Sequence, residues 1–137
     1  NYYIDCIHFD DYFYPTTDEE FDKKSYENYI ATSENPLDLQ EWRRANVNAL
    51  ISSCYTAIKF LNKDLIFSIS PAASTEKNYN KLYADVLTWV ENDCIDLIIP
   101  QIYSTIVVFL TVAIAGIFTN QLALQSFYGK EAAYSGR

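Results

Sequence analysis

Three short runs with the same two-sided pattern constrain this chain more than anything else in it. Ile7 and Phe9 share one parity in residues 2–15, Phe67 and Ile69 in residues 65–71, and Ile98 and Ile102 in residues 95–103. The opposite parity carries small or polar groups: Cys6, His8 and Asp10, then Ser68 and Ser70, then Gln101 and Tyr103. Successive side chains of an extended strand point to opposite faces, so each run has an apolar face for helices and a polar face turned away from them. Long helical stretches separate the three runs. Strand, helix, strand, helix, strand makes two consecutive β-α-β units, and such units build a parallel sheet. The expected fold class is α/β, a partial (β/α)8 TIM-type barrel with parallel strands alternating with helices. Asp10, Ser70, Gln101 and Tyr103 are all expected at the C-terminal ends of their strands, the face where such barrels carry their chemistry.

The connections are less uniform. Residues 16–36 are polar and read as one long loop rimming the barrel mouth. Asp38 and Glu41 form a D-x-x-E capping pattern, and Leu39, Trp42, Val47, Ile51 and Ile58 follow helical spacing, which predicts a helix over residues 38–62. Arg43 and Arg44 fall in its first turns, where the helix dipole disfavours positive charge. Asp10 or Asp11, at the end of the preceding strand, is the expected partner; the alternative is two arginines snorkelling to solvent. Tyr79, Leu82, Tyr83, Val86, Leu87 and Val90 predict one further helix over residues 78–92.

The net charge of −8, with no Lys/Arg cluster, argues against nucleic acid or an anionic membrane surface as partner. Twelve tyrosines and eight phenylalanines could supply sugar-stacking faces, although most are expected in the core. Cys6, Cys54 and Cys94 are odd in number and widely spaced, so they form no C-x-x-C pair and no disulfide framework; buried free thiols are expected. A single histidine among scattered acids makes no metal-site spacing, and nothing implies a cofactor.

The chain's 137 residues fit one domain but fall short of the ~250 of a complete β/α barrel. It lacks any Met and begins inside an apparent strand, so it reads as a fragment of a longer protein. Residues 1–104 form the barrel fragment and residues 105–137 an apolar, atypical tail. Residues 106–118 are a nearly unbroken apolar run, and a membrane span needs ~20 such residues. A buried strand or helix is preferred there over a membrane span or a shifted reading frame. Membrane association is therefore not favoured, and no signature of oligomeric state is present.

The run Ile7-His8-Phe9-Asp10-Asp11-Tyr12-Phe13-Tyr14-Pro15 resembles the glycosyl-hydrolase-like family 10, a bacterial family. Three more blocks agree in order: Trp42-Arg43-Arg44-Ala45-Asn46-Val47-Asn48, then Ile69-Ser70-Pro71, then Leu82-Tyr83-Ala84-Asp85 continuing to Pro100-Gln101-Ile102-Tyr103. The resemblance covers residues 2–103. It departs at Cys6 and Ser68, where the family usually has glycine, and after Tyr103. It implies a TIM-type barrel acting as a glycosidase on polysaccharide, with bacterial cell-wall glycan among the expected substrates. It also implies an exported or cell-surface full-length protein.

Glycoside hydrolysis generally uses two carboxyl groups. Asp10 and Asp11 are the catalytic candidates. Adjacent strand residues face opposite ways, so Asp10 is the stronger, and Asp11 is expected to bind Arg43 or Arg44 or to shape the loop. The substrate-binding candidates are His8 and Tyr12, Arg43 and Asn46, Ser70, Asp85, Gln101 and Tyr103. His8 faces inward below Asp10, where it could orient that carboxylate, contact sugar or be a satisfied core histidine. A non-catalytic carbohydrate-binding barrel and a membrane-associated protein with an apolar span are the alternatives to a glycosidase.

Overall fold

A computed structural model describes residues 3–10 and 13–102 of the protein. Asp11, Tyr12, Tyr103 and the apolar tail lie outside the described residues.

Three strands form a parallel sheet in the order β1 (Cys6–Phe9), β2 (Ile66–Ile69), β3 (Leu97–Ile98). The β1–β2 register pairs Ile7 with Phe67 and His8 with Ser68. The β2–β3 register pairs Ile69 with Ile98. Between β1 and β2 lie α1 (Lys23–Thr32) and α2 (Leu39–Leu61); between β2 and β3 lie α3 (Thr75–Lys81) and α4 (Val86–Glu91). The fold is α/β, with helices and parallel strands mixed along the chain.

Alternation along the strands decides the two faces. Ile7 and Phe9 pack against a core in which Phe67 and Ile69 are fully buried, and Phe9 meets Phe67 edge-on at 5.1 Å between ring centroids. Val47, Ile51 and Ile58 of α2 and Val86, Trp89 and Val90 of α4 complete that core. His8 and Ser68 stand on the opposite face, joined by a hydrogen bond.

Helix α2 starts where the capping pattern predicts. Asp38 Oδ1 accepts from the Glu41 N–H at 2.8 Å. Glu41 does not reach back to complete a capping box; its carboxylate pairs with Arg44 instead.

Four expectations need correction. First, residues 16–36 are not one continuous loop but contain α1. None of its residues is buried, so its apolar stripe is too thin to register in the sequence. It is held by aromatic contact: Tyr29 stacks on Trp42 at 5.8 Å, and Tyr26 and Tyr29 both hydrogen-bond the backbone of Leu37.

Second, the single helix expected over residues 78–92 is two. Tyr83 takes a left-handed backbone (φ 50°) between them. A tyrosine in that region is strained by roughly 1–2 kcal/mol, offset here because its ring is buried and its hydroxyl bonded. Third, among the described residues the third strand is only Leu97–Ile98, although the Ile99 and Gln101 N–H groups still donate to the Ile69 and Pro71 carbonyls. Its pairing nevertheless continues as an isolated parallel bridge between Ala72 and Gln101. Fourth, Cys6 is exposed rather than buried, at the start of β1, which pairs with β2 on one side, while Cys54 and Cys94 are half-buried.

Candidate functional site

The site is built where the polar faces of the strands reach the C-terminal end of the sheet. The Ser70 N–H donates to the Phe9 carbonyl at 2.8 Å, so β1 and β2 are still paired at the level where Asp10 leaves the strand. The Gln101 N–H donates to the Pro71 carbonyl at 2.9 Å, which brings the third strand's extension alongside. From there Gln101 Nε2 reaches across β2 and donates to Asp10 Oδ1. Two residues 91 positions apart in sequence thus meet at one sheet end.

Ser70 lies between them, but its hydroxyl donates to the Ile99 carbonyl at 2.8 Å and its side chain is largely buried. It ties β2 to β3 beneath the site. Two residues before Asp10 on the same face, His8 Nδ1 lies 2.7 Å from Ser68 Oγ, which lies 3.1 Å from Cys6 Sγ. Tyr103, expected in this group, is outside the described residues.

Arg43 has a different task from the substrate contact expected of it. Its side chain is fully buried, and its five N–H donors are all directed to partners. Nε and one terminal nitrogen bind the Asp22 carboxylate at 2.9 and 2.6 Å. The remaining bonds go to the carbonyls of Asp18 (2.7 Å) and Thr17 (3.4 Å) and to the Tyr83 hydroxyl (3.0 Å). The rings of Tyr14 and Tyr83 each lie 5.1 Å from the guanidinium carbon, within cation–π range. Arg43 therefore clamps residues 14–22, the segment that follows the Asp10 strand end.

The expected partner of the two arginines was Asp10 or Asp11, or else solvent. Both arginines are instead buried, Arg43 against Asp22 and Arg44 against Glu41 and the Tyr79 ring. Asp22 sits in the stretch read as plain loop, so no local signal marked it. The Tyr14 hydroxyl, which donates to Asp22, likewise carries no local signal.

This cluster is pH-sensitive. The Arg43 hydrogen bonds hold the Asp22 carboxyl below the usual carboxylate range, and the Tyr14 hydroxyl adds to the effect. Burial, with the neighbouring Asp22 carboxylate, pushes Tyr14 up to about 12. A depressed carboxyl adds stability above its unfolded value of about 3.9 and loses it as pH falls through the lower folded value. A raised tyrosine adds stability below its unfolded value of about 10 and loses it as pH rises through the folded one. Urea midpoints of the wild type and Asp22→Asn are therefore expected to differ at pH 7 and to converge below about pH 4. A gap that stays constant into acid would show that the Asp22 charge stabilises nothing.

Two more candidates have surroundings of their own. Asn46 is exposed on α2, whose Val47 and Ile51 face the core on the opposite side of the sheet from His8. Asp85 caps α4, accepting from the Thr88 N–H at 3.3 Å and the Thr88 hydroxyl at 2.8 Å. It is a helix cap because the chain turns at Tyr83 and restarts, rather than a carboxylate projecting from a continuous helix. An open cavity of about 450 Å3 lies beside the Arg43 clamp, lined in part by Thr17, Asp38, Gln40 and Asn80; neither Asp10 nor Gln101 lines it. Asp96 is structural: it accepts from the Phe67 N–H at 2.7 Å and pairs with Lys59 at 2.8 Å.

Among the described residues no group of three or more His, Cys, Asp or Glu is placed to hold a metal ion. Among the same residues no helix is long and apolar enough to cross a membrane. The arrangement at the sheet end is a carboxylate held by an amide, with hydroxyl and imidazole groups on the same face. It suits acid, base or nucleophilic work on a polar substrate.

Residues 1–122 match the family described as Glycosyl hydrolase-like 10. The chain is 37% identical to glycosyl hydrolase YngK of Bacillus subtilis, across 77% of this chain and 24% of that protein. It is 31% identical to glycosyl hydrolase DigH of Escherichia coli, across 74% of this chain and 26% of that one. The DigH of Shigella flexneri matches to the same extent. The chain spans about a quarter of the length of these relatives.

Proposed function

The chain belongs to the glycosyl hydrolase-like 10 family, and we propose that in its full-length protein it forms part of the wall of a β/α barrel that cleaves O-glycosidic bonds of a polysaccharide. Bacterial cell-wall glycan is the substrate to test first, and an exported or cell-surface location goes with it. The observation that carries the reading is the meeting of Asp10 and Gln101 at the C-terminal end of a parallel sheet. That is the end at which β/α barrels collect catalytic groups from several strands.

Asp10 supplies one of the two carboxyl groups that glycoside hydrolysis needs. Gln101 orients it by donating to Oδ1. The second carboxyl group comes from the remainder of the full-length protein, which is consistent with the chain matching only about a quarter of its relatives. The separation of the two carboxyl groups would then decide between retention and inversion.

The test is to incubate the full-length protein with glycan strands from bacterial cell wall and count new reducing ends. Their appearance is expected. Glycan binding without new ends would identify a non-catalytic carbohydrate-binding barrel, and neither binding nor cleavage would overturn the carbohydrate reading for this glycan.

A further inference from the structure

The hydroxyl of Ser68 stands between an imidazole and a thiol, and the three groups share the face that carries Asp10. Ser68 is buried at 1% exposure, whereas His8 and Cys6 are both exposed. His8 Nδ1 is 2.7 Å from Ser68 Oγ, and Cys6 Sγ is 3.1 Å from the same oxygen. A serine hydroxyl has one proton and two lone pairs, so three arrangements keep both contacts as hydrogen bonds; the one in which Nδ1–H and the thiol both donate to Ser68 spends the buried hydroxyl proton on neither partner, which leaves two. In the first, Ser68 donates to Nδ1 and accepts from the Cys6 thiol. In the second, Nδ1–H donates to Ser68, which donates to sulfur.

One physical argument favours the first. A thiol sulfur is a weak acceptor, so a hydroxyl proton spent on sulfur forgoes the better acceptor, the imidazole nitrogen. With Nδ1 accepting, the ring proton of neutral His8 resides on Nε2.

We infer that Ser68 is a positioning residue that locks His8 in its Nε2–H form, so that His8 presents one hydrogen-bond donor to an oxygen of the glycan bound at Asp10. Cys6 completes the relay by donating to Ser68. His8 and Asp10 lie two residues apart on one face, roughly 6.5 Å along the strand direction, so one bound sugar chain spans both. The identity of the ligand rests on the glycosidase reading; the tautomer does not.

The experiment has two arms. In the first, the full-length protein is labelled with 15N at histidine, and the His8 signals are assigned by their loss in His8→Gln. At a pH where the ring is neutral, Nε2 is expected to be pyrrole-like and Nδ1 pyridine-like. In Ser68→Ala the two nitrogens are expected to move toward each other as the tautomers interconvert, and Ser68→Thr, which keeps the hydroxyl, is expected to restore the separation. A proton on Nδ1 in the wild type, or an unchanged pattern in a folded Ser68→Ala, overturns the lock whatever the protein does to glycans.

The second arm measures turnover of soluble cell-wall glycan strands. Loss of one donor is expected to raise KM roughly 3- to 10-fold in His8→Ala. His8→Gln, whose amide can stand where Nε2–H stood, is expected to recover part of that loss. A KM unchanged in both His8 variants overturns the substrate contact even if the tautomer is as inferred. Absence of turnover in the wild type counts against the glycosidase reading and the substrate contact resting on it, while the first arm still decides the lock.

Discussion

Asp10→Asn in the full-length protein is expected to lower glycan hydrolysis by about 10²–10⁴-fold while leaving the fold intact. The swap preserves size, and the Gln101 amide that donates to Oδ1 finds a carbonyl oxygen in the same place. What is lost is the charge and the capacity to accept or deliver a proton. An amide cannot act as nucleophile, general base or general acid, so the effect should fall on kcat rather than on stability. Gln101→Ala should be milder, because it removes one hydrogen bond to the carboxylate without removing the carboxylate. Asp11 lies outside the described residues; the alternation expected from the sequence turns it away from Asp10, so Asp11→Asn is expected to cost less activity. If Asp11→Asn is the dead variant and Asp10→Asn turns over normally, the strand end is twisted and the alternation argument fails at its main step. Full activity in both would leave the sheet end as a binding wall only.

The second large effect is on stability. Arg43→Ala is expected to destabilise the protein by about 3–5 kcal/mol, the range for breaking a buried ion pair by removing one partner. The Asp22 side chain, 9% exposed, would keep its charge without the two guanidinium bonds that compensate it. The carbonyls of Thr17 and Asp18 and the Tyr83 hydroxyl would lose a donor at the same time.

Arg43→Lys keeps the charge but not the planar fork, so it should still cost about 1–3 kcal/mol through acceptors left unpaired. The readout is the urea midpoint at constant slope. A double-mutant cycle with Asp22→Asn should return a coupling of about 0.5–3 kcal/mol. Against a total stability of about 5–15 kcal/mol, a loss below about 1 kcal/mol for Arg43→Ala would mean that the clamp is geometry without energy.

Much of the scaffold was legible because it follows from local periodicity. The alternation in residues 2–15 and 65–71 predicted which side chains pack on helices, and Ile7, Phe9, Phe67 and Ile69 do so. The Asp38 cap and the long apolar stripe predicted α2 to within a residue at either end. Parallel pairing followed from element order alone, and with it the meeting of Asp10 and Gln101 at one end of the sheet. These features need no knowledge of what lies across the fold. A strand's faces and a helix's stripe are set by backbone geometry that every residue shares.

What the sequence could not convey was the identity of partners brought together by the folded chain. Arg43 looked available for substrate because a guanidinium's destination is invisible from its neighbours. Asp22, 21 positions away in a stretch that reads as loop, claims it only once α1 and α2 are docked. Helix α1 escaped because Tyr26 and Tyr29 are stabilised by Trp42 from another element, not by a stripe of their own. The break at Tyr83 escaped because its left-handed backbone is tolerated only where Tyr14 and Arg43 hold the side chain. Periodicity by itself determined the sheet, its two faces and the end that carries Asp10. Tertiary packing decided the pairing of buried charges and the hydrogen-bonded company of His8, because those depend on distances between segments that no local pattern encodes.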